Sequence, residues 1–135
     1  MSKLLHCIVV TPEATALEQE AEFVALPLYD GEIGIAPAHS PMIGRLGYGE
    51  MRIRSAGGSI ATYYLDGGFV QVADNVVSVL TNRAIPAARL NEESAQQQLE
   101  AAAKKQANTP ELLEIRDRVI AQARAQIRIA RRRRI

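Results

Sequence analysis

The chain contains no tryptophan, one cysteine, two histidines and 4% aromatic residues, and each shortage removes a class of function. A core built without tryptophan must be aliphatic, and a stacking platform for single-stranded nucleic acid is not expected. The lone cysteine, Cys7, cannot close an internal disulfide and has no partner at metal-ligand spacing. A reducing, intracellular compartment is the expectation. No apolar run approaches the roughly twenty residues that span a bilayer. Residues 1–13 carry one Lys and a short apolar run that breaks at Thr11-Pro12, without a small-residue cleavage site. They read as a first strand rather than a signal peptide. Nucleophile elbow, Walker loop, His-Glu-x-x-His, paired cysteines and EF-hand loop are all missing, so no catalytic residue, metal or cofactor is expected.

What is present is 47% apolar residues in a chain of 135, enough for one domain, or a small domain with an appendage. The net charge of +1 conceals an asymmetry. Residues 1–90 hold six basic and nine acidic side chains, net −3, whereas residues 91–135 hold ten and six, net +4. The hydrophobic period changes at the same place. Up to Ile85 the signal is short and β-like: Leu4 to Val10, Glu22 to Leu26, Met51 to Arg54, Ile60 to Leu65, Phe69 to Ala73 and Val76 to Leu80. Ser55-Ala56-Gly57-Gly58 and Asp66-Gly67-Gly68 read as turns rather than phosphate cradles, and Asp74-Asn75 suits a tight hairpin. Many short strands spaced by turn signals predict an antiparallel sandwich or flattened barrel. After Pro86 the pattern is helical. Asn91 can cap a first helix with Glu92 and Glu93 in its first turn and Lys104 and Lys105 in its last. Its stripe of Ala95, Leu99, Ala102 and Ala103 buries little, about 2 kcal/mol for Leu99 and less for each Ala. Thr109-Pro110 opens a second helix of about 22 residues, a rod of roughly 33 Å. The two predict an antiparallel hairpin held mainly by small side chains. The expected division is residues 1–87 and residues 88–135.

Residues 26–41, L-P-L-Y-D-G-E-I-G-I-A-P-A-H-S-P, concentrate three prolines and two glycines in sixteen positions and read as a shaped, rigid loop. Glu32 and His39 stand out in it. By spacing alone Glu32 is a solvated turn glutamate and His39 a hydrogen-bonded structural histidine. The run Arg131, Arg132, Arg133 and Arg134, with Arg124 and Arg128 a turn or two before it, reads either as a solvated helix end or as a cationic prong for an acidic surface.

Three segments together resemble the epsilon subunit of the rotary proton-translocating ATP synthase: L-P-x-x-x-G-E-I-G-I-x-P-x-H-x-P from Leu26 to Pro41, G-x-x-R-I from Gly49 to Ile53, and G-G-F-V-Q-V-x-x-N-V-V-x-V-L from Gly67 to Leu80. The resemblance implies a β-sandwich of about ten strands and a C-terminal two-helix domain. It implies a non-catalytic place in the central stalk, bound to the gamma subunit and resting on the ring of c subunits. Glu32 matches the glutamate that faces the ring, and His39 the histidine near the gamma contact. The hairpin matches a regulatory element, compact or extended, whose extended form reaches the alpha/beta catalytic head and blocks ATP hydrolysis. Arg124, Arg128 and Arg131 to Arg134 would make that contact. Some relatives bind ATP through [IL]-D-x-x-R-A. Here Asn91 replaces the Asp and Ser94 the Arg, so little or no ATP binding is expected. Membrane contact would come only through the complex, on the cytoplasmic side of a bacterial membrane. The competing reading is a small β-domain whose Arg-rich helix binds nucleic acid or another acidic partner; the acidic β-half argues against nucleic acid.

Overall fold

The computed structural model describes residues 3–133. Contacts divide it into two units, one ending at Pro86 and one beginning at Ala87.

The first unit contains eight strands among the described residues. Strand β1 (Leu5–Val10) buries Leu5, Cys7 and Val9 and turns His6, Ile8 and Val10 outward, the alternation of a half-buried strand. It pairs with β2 (Thr15–Ala21) on one side and, in parallel, with β7 (Val76–Leu80) on the other. All other pairings are antiparallel, in the order β2-β1-β7-β6-β5-β3-β4, where β3 is Phe23–Leu28, β4 Gly31–Ile35, β5 Met42–Arg54 and β6 Ile60–Ala73. A short β8 (Ala84–Pro86) also pairs with β6.

Strands β5 and β6, of 13 and 14 residues, belong to both layers of the sandwich. Their ladder is interrupted at Gly47 and Gly67. On the far edge of β6, β7 pairs with Phe69–Ala73 and β8 with Tyr63–Leu65. The corner lies between these halves. Gly67 and Gly68 hold φ of 74° and 110°, and a Cβ on Gly68 would stand 1.8 Å from the Leu80 carbonyl oxygen. Only glycine fits there. Counting each long strand once per layer turns eight elements into the ten expected. The interior is aliphatic, with Val24, Leu26, Ile35, Met51, Ile53, Leu65, Val70, Val72, Val77 and Val79 buried between the layers.

One carboxylate is buried at this corner. Asp66 accepts a hydrogen bond from the Tyr64 hydroxyl at 2.6 Å and one from Arg83 Nε at 3.0 Å, while its own N–H donates to Thr81 Oγ1 at 3.1 Å. These partners offset the cost of removing a charge from water.

Three expectations are corrected. Asp66-Gly67-Gly68 is not a turn between strands but the bend inside β6, because the flanking runs continue one ladder with β5. Residues 26–41 are not a loop throughout. Leu26–Leu28 and Gly31–Ile35 form a hairpin around Tyr29-Asp30, and only residues 36–41 are irregular. Pro27 is tolerated in β3 because the ladder to β5 is already broken between Ala25 and Leu28, where its missing N–H would otherwise be needed. Glu32 therefore sits in strand β4 and not in a turn. By contrast, Ser55–Ser59 does close the β5–β6 hairpin, and Asp74 and Asn75, at φ 52° and 62°, close the β6–β7 hairpin.

In the second unit, a 3-10 turn (Ala87–Arg89) leads into α1 (Glu92–Lys104) and α2 (Pro110–Arg133). Asn91 Oδ1 caps α1 by accepting from Ser94 N–H at 2.9 Å, and Thr109 Oγ1 caps α2 by accepting from Leu112 N–H at 3.2 Å. Burial is uneven. Ala95 and Ala102 are buried in α1, and Ala123, Ala125, Ile127, Ile129 and Ala130 in α2, while Leu112, Leu113 and Ile115 remain exposed. Small side chains at the contact and an open first half of α2 make this a shallowly packed pair. No helix among the described residues is long and apolar enough to cross a membrane.

Candidate functional site

The first unit presents an apolar strip on the outer face of one sandwich layer. Strand alternation sends Val70, Val72, Val77 and Val79 inward, so Phe69 and Leu80, directly opposite each other on β6 and β7, must point out. They are 58% and 56% exposed, and Ile43 on the adjoining strand is 77% exposed. Arg45 lies opposite Phe69 and stacks its guanidinium 4.4 Å from the centre of the Tyr29 ring. Between them lies a depression of about 710 Å³, lined by Val10, Pro12, Arg45, Phe69 and Leu80 among others. Scattered surface leucines need no explanation, but Phe69 and Leu80 form an exposed apolar pair across β6 and β7, with Ile43 diagonal to Phe69 on β5, beside Arg45 and Gln71.

His39 stands next to this strip along the chain. Its irregular segment ends at Pro41, immediately before β5 and Ile43. The His39 ring is held locally, with Nδ1 2.7 Å from the Ser40 carbonyl oxygen. Ala38, at φ 67°, donates its N–H to Asn75 Oδ1 at 2.7 Å, and the Asn75 carbonyl oxygen accepts from His6 N–H at 2.7 Å. Asn75 thus ties the His39 segment, the β6–β7 turn and the start of β1 together.

Glu32 has a different setting. Its Oε1 accepts a hydrogen bond from one Arg52 nitrogen at 2.7 Å, and a second Arg52 nitrogen donates to Glu50 Oε1, also at 2.7 Å. The Glu50 contact and then the Glu32 contact outweigh partial burial and hold Arg52 firmly in its charged form. Glu32 and His39 have separate partners, so the structure does not join them in one constellation. No group of three or more His, Cys, Asp or Glu among the described residues is placed to hold a metal.

In the second unit, Arg124, Arg128 and Arg131 recur at i, i+4 and i+7 and so share one face of α2. All three are exposed, as are Arg132 and Arg133. Arg131 Nε donates to Glu92 Oε1, linking the C-terminal end of α2 to the first turn of α1. Arg134 lies outside the described residues. Asn91 is engaged as the α1 cap, with the Ser94 N–H as its donor.

Periodicity alone missed the apolar strip. Phe69 and Leu80 read as ordinary strand residues, although strict alternation around Val70, Val72, Val77 and Val79 would have assigned both to the outer face. The Arg52 bridge had no local signal, since it joins residues twenty positions apart.

A two-layer β-unit with exposed apolar side chains on one face, followed by a capped helix pair with a basic face, defines a protein equipped with surfaces for other macromolecules. Residues 4–87 match the family model described as ATP synthase, Delta/Epsilon chain, beta-sandwich domain. The chain belongs to this family of ATP synthase subunits. It is 48% identical over 127 residues to an ATP synthase epsilon chain of Rhodopirellula baltica, covering 94% of this chain and 98% of that one. A chain in the mitochondrial ATP synthase of Euglena gracilis, in a structure of OSCP, F1 and c-ring, shares the fold with a TM-score of 0.81 at 22% identity, over 90% of this chain and 78% of that one. A chain in the central stalk and c-ring structure of the Tetrahymena thermophila enzyme does so with a TM-score of 0.73 at 14% identity, over 96% and 98%.

Proposed function

We propose that this chain is a non-catalytic central-stalk subunit that couples rotation of a proton-driven c-ring to the catalytic head and restrains ATP hydrolysis through its helix pair. The observation that carries the reading is the exposed strip of Ile43, Phe69 and Leu80, which a rigid partner can cover. The gamma subunit is its occupant in this reading, with the His39 segment at one border. Glu32, on the other layer's β4, faces the polar loops of the ring. The subunit is peripheral to a bacterial cytoplasmic membrane and reaches it only through the complex.

The restraint belongs to the second unit. A hairpin buried mainly through alanines needs little work to open, and Arg124, Arg128 and Arg131 to Arg133 present a row of cations to an acidic surface on the alpha/beta head. In the closed pair Arg131 is engaged by Glu92, so a carboxylate of the head competes with an internal one.

The deciding experiment truncates the chain after Arg89 and reconstitutes it with the catalytic head and gamma. The β-unit is expected to fold and bind gamma while ATP hydrolysis rises several-fold as the restraint is lost. Unchanged hydrolysis removes the regulatory role, and loss of gamma binding by the folded β-unit removes the docking role. Full-length chain that instead bound RNA with a steep salt dependence would favour the nucleic-acid reading.

A further inference from the structure

Glu32 occupies an edge strand, and its side chain is 54% exposed. A glutamate in that position ordinarily samples several rotamers, losing entropy when a partner fixes it. Here it already has a partner, since its Oε1 accepts a hydrogen bond from Arg52 at 2.7 Å. Arg52 lies on β5, two strands away in the order β5-β3-β4, with Ala25 beside it on β3. Its guanidinium spans β3 to reach Glu32, whose partner on β3 is Pro27. Pro27 itself packs on Gly49, where a Cβ would come within 2.7 Å of the proline ring. The guanidinium fork then splits between two carboxylates. Glu50, with a side chain only 10% exposed, anchors one nitrogen, and the more exposed Glu32 receives the other. A lysine has no planar fork with which to reproduce this division.

We propose that Arg52 is a positioning residue for Glu32: anchored on Glu50, it holds the Glu32 carboxylate in one orientation and leaves the remaining lone pairs for a hydrogen-bond-donating or cationic group on the ring. This rests on the docking reading of Glu32. The partner group shares an oriented carboxylate with Arg52 and does not have to order a mobile one. Arg52 has no contact with the ring in this arrangement and acts only through Glu32.

The test is a double-mutant cycle in the reconstituted ATP synthase, reading protons pumped per ATP hydrolysed. Arg52→Gln is expected to lower that ratio about threefold, the scale of a half-exposed charge pair, and Arg52→Lys to fall between it and the parent. In a Glu32→Ala background, Arg52→Gln is expected to cause no further loss. An equal loss in both backgrounds means that Arg52 supports the fold generally and overturns the inference. So does full coupling with Arg52→Gln when Glu32→Ala impairs it. Full coupling with Glu32→Ala itself overturns the docking reading and the inference together.

Discussion

Cys7 is fully buried in β1 among aliphatic neighbours, and desolvation pushes its thiol from 9.0 up to about 12. Raising the folded value above the unfolded one means that the neutral thiol favours the native state. That contribution is complete below about pH 9 and is lost as the pH climbs towards 12. Urea unfolding at a series of alkaline pH values should show a steeper loss of stability for the parent than for Cys7→Ala, although the variant starts lower because of its small cavity. At pH 8 a thiol reagent should leave the folded chain unmodified and label it once unfolded. Burial of Cys7 was legible from alternation in Leu5, Cys7 and Val9. Other residue-level facts were not. Glu32 looked like a turn residue because Gly31 and Gly34 flank it, yet its pairing with Arg52 depends on the order in which β3, β4 and β5 assemble. Asp66-Gly67-Gly68 looked like a turn because two glycines and an aspartate usually make one. Its place inside β6 follows from the partner strand β5, which continues past it.

Among the elements, the helices were the most legible, since their punctuation is local. Asn91 and Thr109 serve as the expected caps, and Pro110 opens α2. Replacing Asn91 by Ala should cost about 1 kcal/mol of hairpin stability. Hydrogen exchange would report this as roughly fivefold faster opening of α1 amides, with those of β7 unaffected; equal acceleration in both would mean that the two units open together. The strands were legible where branched residues cluster and obscure elsewhere. β2, T-A-L-E-Q-E-A, is a largely exposed edge strand with one large apolar side chain, and β8 is only three residues long. The part of β5 before Met51 was hidden by Gly44, Gly47 and Gly49. Gly49 lies under Pro27 and Gly47 close to the Leu28 carbonyl oxygen, so both mark close backbone approach rather than absence of a strand.

For the whole molecule, the division of charge between an acidic β-half and a basic helical half was visible at once, and it bears on the proposed restraint of hydrolysis. Substituting Arg131, Arg132 and Arg133 by Ala should weaken inhibition of the reconstituted head several-fold at low ionic strength. The difference should shrink at about 1 M salt, where the Debye length is about 3 Å. Hydrolysis assays at the two salt levels would show it, and an effect of equal size in both would point to packing instead of charge. The apolar strip has the opposite character, since covering Phe69 and Leu80 depends little on screening. The two surfaces are therefore separable by salt.

The bend shared by β5 and β6 has a mechanical consequence. At about 3.3 Å per residue, each is roughly 45 Å of unbroken main chain passing from one layer into the other. The layers are therefore joined by two covalent beams and the ladder between them, with no flexible linker at the corner. Gly68, pressed against the Leu80 carbonyl, leaves the corner no slack. Sliding one layer over the other would shear that ladder on both sides of its break at Gly47 and Gly67, so the two layers resist it together.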